Sequence, residues 1–270
     1  MLGREVGRRL DRYGYKKAFE RVLSSLHQAD LAIGNLEACF SGDETQTIEP
    51  LTFFAPNRQL IALLYLGFDV LNLANNHCSP FAVDYSQKLL NSVGILTIGS
   101  PVQGFDGLPI QINRNGLKVA IISGMLLPTT KQNIIKIMQP SFAKSLQKIA
   151  AVNDFVVATI HWGDEYANIP NTAQQQLAHW LVHNGVNFVI GHHPHVVQPV
   201  AEYKNGLIAY SLGNFIFDQE GYIKTTNGLT ERGLMLRLRL HKKLGWSKQE
   251  IATCIVDRYQ VDYCETQNKL

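Results

Sequence analysis

Five apolar, strand-like runs in this chain each end in a cluster of nitrogen- and oxygen-bearing side chains, and that recurrence limits the folds open to it. Residues 30–33, 70–74, 155–160, 188–190 and 207–210 lead into Asn35-Leu36-Glu37, Asn75-Asn76-His77, His161-Trp162-Gly163-Asp164-Glu165, His192-His193-Pro194-His195 and Ser211-Leu212-Gly213-Asn214. Strand ends at one rim of a sheet are where α/β proteins gather ligands. Five of the nine histidines fall in these clusters, which points to a metal site.

The segments between the runs carry helical spacing. Leu10, Ala18, Val22, Leu23 and Leu26 recur loosely at helix intervals, residues 60–66 read as a helix stopped by Gly67, and further helices are expected near 85–93, 142–151 and 173–183. Another buried strand is expected at 117–123. Repeated helix-to-strand units predict an α/β sandwich. The tail differs, with strands expected at 210–217, 234–240 and 251–259 without long helices between them, so antiparallel strands complete a mixed sheet. Residues 41–52 are polar and Thr-rich and read as a loop, and 123–140 is only weakly marked. No linker or repeat interrupts the pattern, so residues 1–270 are taken as a single domain.

A net charge of +3 gives no broad electrostatic footprint for nucleic acid. The basic residues between Arg4 and Arg21 are interleaved with Glu5, Asp11 and Glu20 and suit an exposed helix face. Cys39, Cys78, Cys254 and Cys264 form no C-x-x-C pair, so they are expected to be free thiols in a reducing compartment rather than ligands. No stretch has signal-peptide or membrane-span character. As written the chain reads as soluble and cytoplasmic.

His193-Pro194-His195 is the most specific of the five clusters. Residues two apart on an extended segment project to one side, so both imidazoles can face one site. Imidazole suits zinc, iron, nickel or copper, and Glu37 adds a hard oxygen donor able to bridge two cations. Asn76 and His77 follow a buried strand, where an amide oxygen can coordinate and the imidazole can reach a leaving group; an Asn-His pair also suits a simple turn. His161 is equally compatible with a satisfied core histidine. His179 and His183 are spaced i, i+4 but lack the glutamate of H-E-x-x-H and read as a helix face. No G-x-S-x-G elbow, P-loop or G-x-G-x-x-G fingerprint is present.

Together the segments Met1-Leu2-Gly3-Arg4, Asp30-Leu31 to Asn35-Leu36-Glu37, Ala74-Asn75-Asn76-His77, His161-Trp162-Gly163-Asp164-Glu165-Tyr166, Gly191-His192-His193-Pro194-His195-Val196 and Ser211-Leu212-Gly213-Asn214-Phe215 run in an order that resembles the bacterial capsule synthesis, or poly-γ-glutamate synthesis CapA, family of the calcineurin-like metallophosphoesterase superfamily. The resemblance implies a four-layer α/β/β/α sandwich with two mixed sheets and two divalent ions, of manganese, iron or zinc, at one rim. It implies Glu37 as bridging carboxylate, Asn76, His161, His193 and His195 as further ligands, and His77 as general acid. His192 occupies a less constrained motif position. Asn35, Asn75, Asp164, Glu165, Asn214 and Asp218 are expected to support the ligands or to line the substrate's path, Asp164 or Glu165 by orienting His161.

Two departures from the family pattern enter the expectation. A strand ending in Gly-Asp normally precedes the Met-Leu-Gly-Arg segment, and its aspartate binds the first metal; with Met1 as the first residue, the first strand is expected to be missing and the first metal site weakened. A start assigned too far downstream is preferred over a degenerate copy, because every later motif survives. Any membrane anchor or export signal would then lie upstream, making a membrane-anchored or extracellular location the alternative. After His77 the family's aspartate and glycine are replaced by Ser79-Pro80-Phe81. The expected function is hydrolysis by a metal-activated water acting on a phosphate-containing or anionic envelope polymer, together with the capsule synthesis machinery. The rival is a non-enzymatic assembly or polymer-binding protein on the same fold.

Overall fold

The computed structural model describes residues 2–41, 53–100, 102–105, 108–218 and 226–264. Helices α1 (Arg4–Tyr13), α2 (Tyr15–Phe19) and α3 (Leu23–His27) precede strand β1 (Ile33–Asn35). Short strands β2 (Cys39–Ser41) and β3 (Phe54–Pro56) lead to α4 (Leu60–Leu66), β4 (Val70–Asn72), α5 (Pro80–Ser92) and β5 (Leu96–Ile98). Then come β6 (Gly104–Phe105), β7 (Ile110–Arg114), β8 (Leu117–Leu126), α6 (Lys131–Ile137), α7 (Pro140–Val152), β9 (Phe155–Trp162), α8 (Thr172–His183) and β10 (Phe188–His192). Strands β11 (Val200–Tyr203), β12 (Gly206–Ala209), β13 (Arg232–His241), β14 (Gly245–Val256) and β15 (Gln260–Tyr263) follow.

Local chemistry sets several of these ends. The Ser79 hydroxyl accepts from Ala82 N with Pro80 at the first helical position of α5, and Asn171 and Gln174 form a reciprocal capping box on α8. Gly67 ends α4 in the left-handed conformation.

A seven-stranded mixed sheet runs β11-β12-β10-β9-β8-β6, with β7 also paired to β8; β8, β9, β10 and β12 are mutually parallel. A three-stranded parallel sheet has the order β1-β4-β5, β13-β14-β15 form an antiparallel sheet, and β2 pairs with β3.

Three apolar layers separate four structural ones. Val6, Phe19, Leu63, Leu66 and Leu90 of the first helices pack on Leu71 of β4 and Ile255 and Val261 of β14 and β15. Val70 and Ile98 meet Val119, Ile121, Phe155, Val157 and Phe188 between the sheets, with Leu236 and Leu238 of β13 against them. Ile134, Leu146, Leu177 and Leu181 of α6 to α8 cover Ala120, Val156, Ala158 and Ile160 on the far face. The period-2 alternation of β9 thus feeds two cores, as a doubly covered strand requires. The fold is the α/β/β/α sandwich expected from the sequence, and each fully buried Leu, Ile or Phe contributes about 1.5–3 kcal/mol to holding its layers together.

Four local expectations need correction. The strand expected at 210–217 is absent: β12 stops at Ala209, and Leu212 and Gly213 make only isolated bridges, because Gly213 adopts φ +64° and breaks the extended backbone. The weakly marked 123–140 segment contains α6, capped by the Thr130 side chain. Strands β6 and β7 add an antiparallel edge that the sequence pattern did not mark. The cysteines are not free thiols: Cys39 pairs with Cys78 and Cys254 with Cys264, at Cα separations of 5.9 and 5.1 Å. The pairings arise from tertiary proximity, which residue spacing alone does not reveal. Most of the loop expected at 41–52 lies outside the described residues.

Candidate metal centre

The space between the two main sheets changes from apolar to polar toward one rim. On β4 the side facing the seven-stranded sheet reads Val70 then Asn72; on β8 it reads Ile121 then Ser123, and on β9 Val157, Thr159 and His161. The Ser123 hydroxyl donates across the sandwich to Asn72 Oδ1 at 2.6 Å, Asn72 Nδ2 donates to Asn35 Oδ1 at 2.9 Å, and Asn35 Nδ2 reaches Glu37 Oε2 at 3.4 Å. A relay of side chains thus runs from the central sheet to Glu37.

Glu37 is buried, and its Oε1 faces three imidazoles: His195 Nε2 at 3.3 Å, His77 Nε2 at 3.5 Å and His161 Nε2 at 3.9 Å. Oε1 meets them at ion-pair distance and has no hydrogen-bond partner among the described residues. Burial pushes its pKa up, but the facing imidazoles, His195 foremost, outweigh that and hold the carboxyl well below its usual range. His161 is fully buried at the end of β9, and burial pushes its imidazole well below the usual range. Its Nε2 lies 3.0 Å from Asn76 Oδ1 and 3.2 Å from His193 Nδ1. A neutral imidazole nitrogen has at most one proton to give, so it cannot donate to both.

His193 and His195 sit in the turn after β10 with φ of +99° and +58°. Non-glycine residues hold such angles only where surrounding structure over-determines them. Gly191 makes the approach possible, since a Cβ there would collide with Tyr210 O and the Trp162 indole. Burial lowers the His193 pKa to about 4; for His195 burial also pushes down, but facing Glu37 more than offsets it and the net direction is up. His195 Nδ1 is 3.0 Å from Asn214 Oδ1, while Asn214 Nδ2 donates to the carbonyls of His195 and Thr230. That bond fixes the ring and turns Nε2 toward Glu37.

The remaining expected residues divide. Asn75 is fully buried and knits the loop after β4, donating to Leu36 O and Leu73 O and accepting from His77 N. Asp164 turns away to Asn171 at the start of α8, accepting at 2.8 Å, and does not reach His161. Asp218 accepts from Glu5 N at 3.0 Å and pairs with Arg4, so it anchors α1; burial raises its pKa despite the Arg4 charge. Among the described residues His192 makes none of the ring contacts that join its neighbours, and burial lowers its pKa to about 4. Glu165 is exposed, but one of its oxygens lies within 4.8 Å of a ring nitrogen of both His193 and His195.

Sequence reasoning missed Phe53, which stacks on His77 with ring centres 3.8 Å apart, and Phe217, which packs on His195 and Phe53. It also missed Asn72 and Ser123. Asn72, a polar residue inside an apolar strand run, was the available signal.

A cation fits this donor set. An orphaned buried carboxylate oxygen, an amide oxygen and three imidazole nitrogens converge with too few protons to satisfy one another, and a mixed nitrogen and oxygen shell suits manganese, iron or zinc.

The family model for bacterial capsule synthesis protein PGA_cap matches residues 1–219. A capsule biosynthesis protein CapA of Bacillus anthracis is 30% identical over 245 residues, covering 83% of this chain and 59% of that protein. A PGA biosynthesis protein CapA of Bacillus subtilis is 28% identical over 239 residues, covering 83% of this chain and 63% of that one. The chain therefore spans about three-fifths of the length of these curated relatives. A solved structure described as a novel phosphatase of Mycoplasma pneumoniae superposes with a TM-score of 0.50 at 14% identity, covering 94% of this chain and 92% of that one, and shares the fold. Among the described residues no helix is long and apolar enough to cross a membrane.

Proposed function

Because the chain belongs to the bacterial capsule synthesis protein family, we propose that it serves capsule or poly-γ-glutamate synthesis as a metal-dependent phosphoesterase-like hydrolase, with residues 1–270 acting as one domain. The observation that carries this is the convergence of Glu37 Oε1, Asn76 Oδ1, His161 Nε2, His193 Nδ1 and His195 Nε2 in one largely buried cluster. These five side chains would hold two divalent cations of manganese, iron or zinc. When bound, the ions lower the pKa of a water and stabilise charge on a phosphoryl oxygen.

His77 delivers a proton from Nε2, which lies 3.5 Å from Glu37 Oε1, to the departing oxygen. Phe53, stacked on its ring, fixes the plane from which it does so. Asn214 Oδ1 accepts a hydrogen bond from His195 Nδ1–H and so keeps Nε2 available. Asn75 fixes the loop that presents Asn76 and His77. The substrate is a phosphate-containing or anionic envelope polymer or its precursor, handled alongside the capsule synthesis machinery. Two disulfides support work on the oxidising side of a membrane, the alternative to a cytoplasmic location.

The test is elemental analysis of the purified chain together with hydrolysis of a generic phosphodiester under added manganese. Bound metal, and turnover lost on chelation and in a His193→Ala/His195→Ala double variant, are expected. Metal without turnover would leave the polymer-binding role. A chain that binds no manganese, iron or zinc would overturn the metal site altogether.

A further inference from the structure

We propose that Glu165 is a ligand of the cation that His195 holds, so that the loop after β9 brings a second carboxylate to the site; this rests on the metal-binding reading above. Two adjacent acidic residues leave β9 and diverge. Gly163, at φ +91°, turns the chain and donates its N–H to the Thr129 hydroxyl, after which Asp164 is drawn to Asn171. Glu165 is left facing the other way. The next residue pins the loop to the histidine turn: Tyr166 N donates to Pro194 O at 2.8 Å, and the Tyr166 ring stacks on His195.

The result is a carboxylate oxygen, a His193 nitrogen and a His195 nitrogen mutually within 4.8 Å, beside a second such group formed by Glu37, His77 and His195. His195 belongs to both groups. Its Nδ1 is committed to Asn214, which leaves Nε2 as the nitrogen open to a cation, and an imidazole nitrogen binds one metal ion. Glu37 and Glu165 therefore compete for or share the same cation. Sharing fits the chemistry better, because Glu37 Oε1 is buried with no hydrogen-bond partner among the described residues and the Glu165 carboxylate faces the same two histidines, His193 and His195. Two carboxylates and two imidazoles make a hard-to-borderline shell suited to manganese, iron or zinc. Glu165 differs from Glu37 in being exposed, which makes it the ligand that approaches from the solvent side.

The experiment is calorimetric titration of the full metal-stripped chain with manganese, comparing it with Glu165→Gln and with Glu202→Gln, an exposed carboxylate on β11. Removing a ligand is expected to weaken binding by at least the roughly tenfold that loss of an outer partner causes. The metal-free thermal midpoint of Glu165→Gln should match that of the parent, and Glu202→Gln should bind as the parent does. Equal affinity in the Glu165→Gln and parent chains overturns the assignment and leaves the metal site standing. Equal weakening in Glu202→Gln also overturns it, since general surface charge would then suffice. A parent chain that binds no metal fails the site as a whole, which is a different result.

Discussion

The two halves of the candidate site are built to different standards of rigidity. His161, His193 and His195 hang from β9 and β10, strands of eight and five residues in the middle of a seven-stranded sheet. Glu37, Asn76 and His77 follow β1 and β4, strands of three residues each in a small parallel sheet. Long central strands position side chains through the ladder itself, and what remains is local: a tight turn with two histidines at positive φ. Three-residue strands cannot do as much, so the other half is braced from outside. A disulfide joins Cys39, two residues past Glu37, to Cys78, the neighbour of His77, and a chain of amides ties Glu37 to the opposite sheet. The same ligand precision is reached by backbone pairing on one side and by cross-links on the other.

The largest effect should come from the one group that spans both halves. Glu37→Gln keeps the shape but removes the charge that three imidazoles face, and metal affinity should fall by well over the 10- to 100-fold typical of an outer partner. Titration with manganese reads this directly. Retained affinity would mean that the histidine half alone holds the ions, and the comparison would collapse to a single half.

Next come the two disulfides, which separate bracing from bulk stability. Removing the Cys39–Cys78 link as a double serine variant opens a loop spanning 39 residues and should destabilise the fold by about 4 kcal/mol on chain-entropy grounds; the Cys254–Cys264 link, spanning 10, should cost about 3 kcal/mol. Denaturant melts should therefore differ only modestly. Metal binding should not: at temperatures where both variants are folded, only loss of Cys39–Cys78 should weaken it. Equal metal affinity in the two would show that the short-stranded half needs no covalent brace.

On the histidine side, Asn214→Ala frees His195 Nδ1 and lets the ring choose the wrong tautomer. A 10- to 100-fold loss of metal affinity is expected. Asn214 also donates to two carbonyls, so a melt must accompany the titration. A stability loss without an affinity loss would reassign Asn214 to the fold alone.

The two halves were also unequally legible in the sequence. The strand half could be read because residues 155–160 form a largely apolar run that leads into His161, and because H-P-H keeps two imidazoles close in sequence; the extended segment expected for that motif is instead a turn with both histidines at positive φ. The sandwich followed from the alternation of such runs with helices. What could not be read depends on contacts distant in sequence. Cys39 and Cys78 meet only after β2 packs on α5, Phe53 finds His77 across the intervening β3, α4 and β4, and Asp164 is claimed by a helix cap rather than by His161. Gly213 gave a turn signal that the surrounding apolar residues masked, which is why a strand was expected through it.

The smallest predicted effect tests the longest of these contacts. Ser123→Ala removes the hydroxyl that crosses the sandwich to Asn72, and should lower stability by about 1 kcal/mol. Asn72 Oδ1 keeps its bond from Ala74 N, so the amide is not left wholly unsatisfied. If the relay to Glu37 matters only for folding, metal affinity will not move. If it orients the carboxylate, as bracing of a three-residue strand from the opposite sheet requires, affinity should drop severalfold while the histidine turn is untouched. Asn35→Ala should then reproduce the drop, because it cuts the same relay one bond nearer to Glu37. Different responses to the two substitutions would show that Ser123 and Asn35 act separately and that the relay is only a row of neighbours.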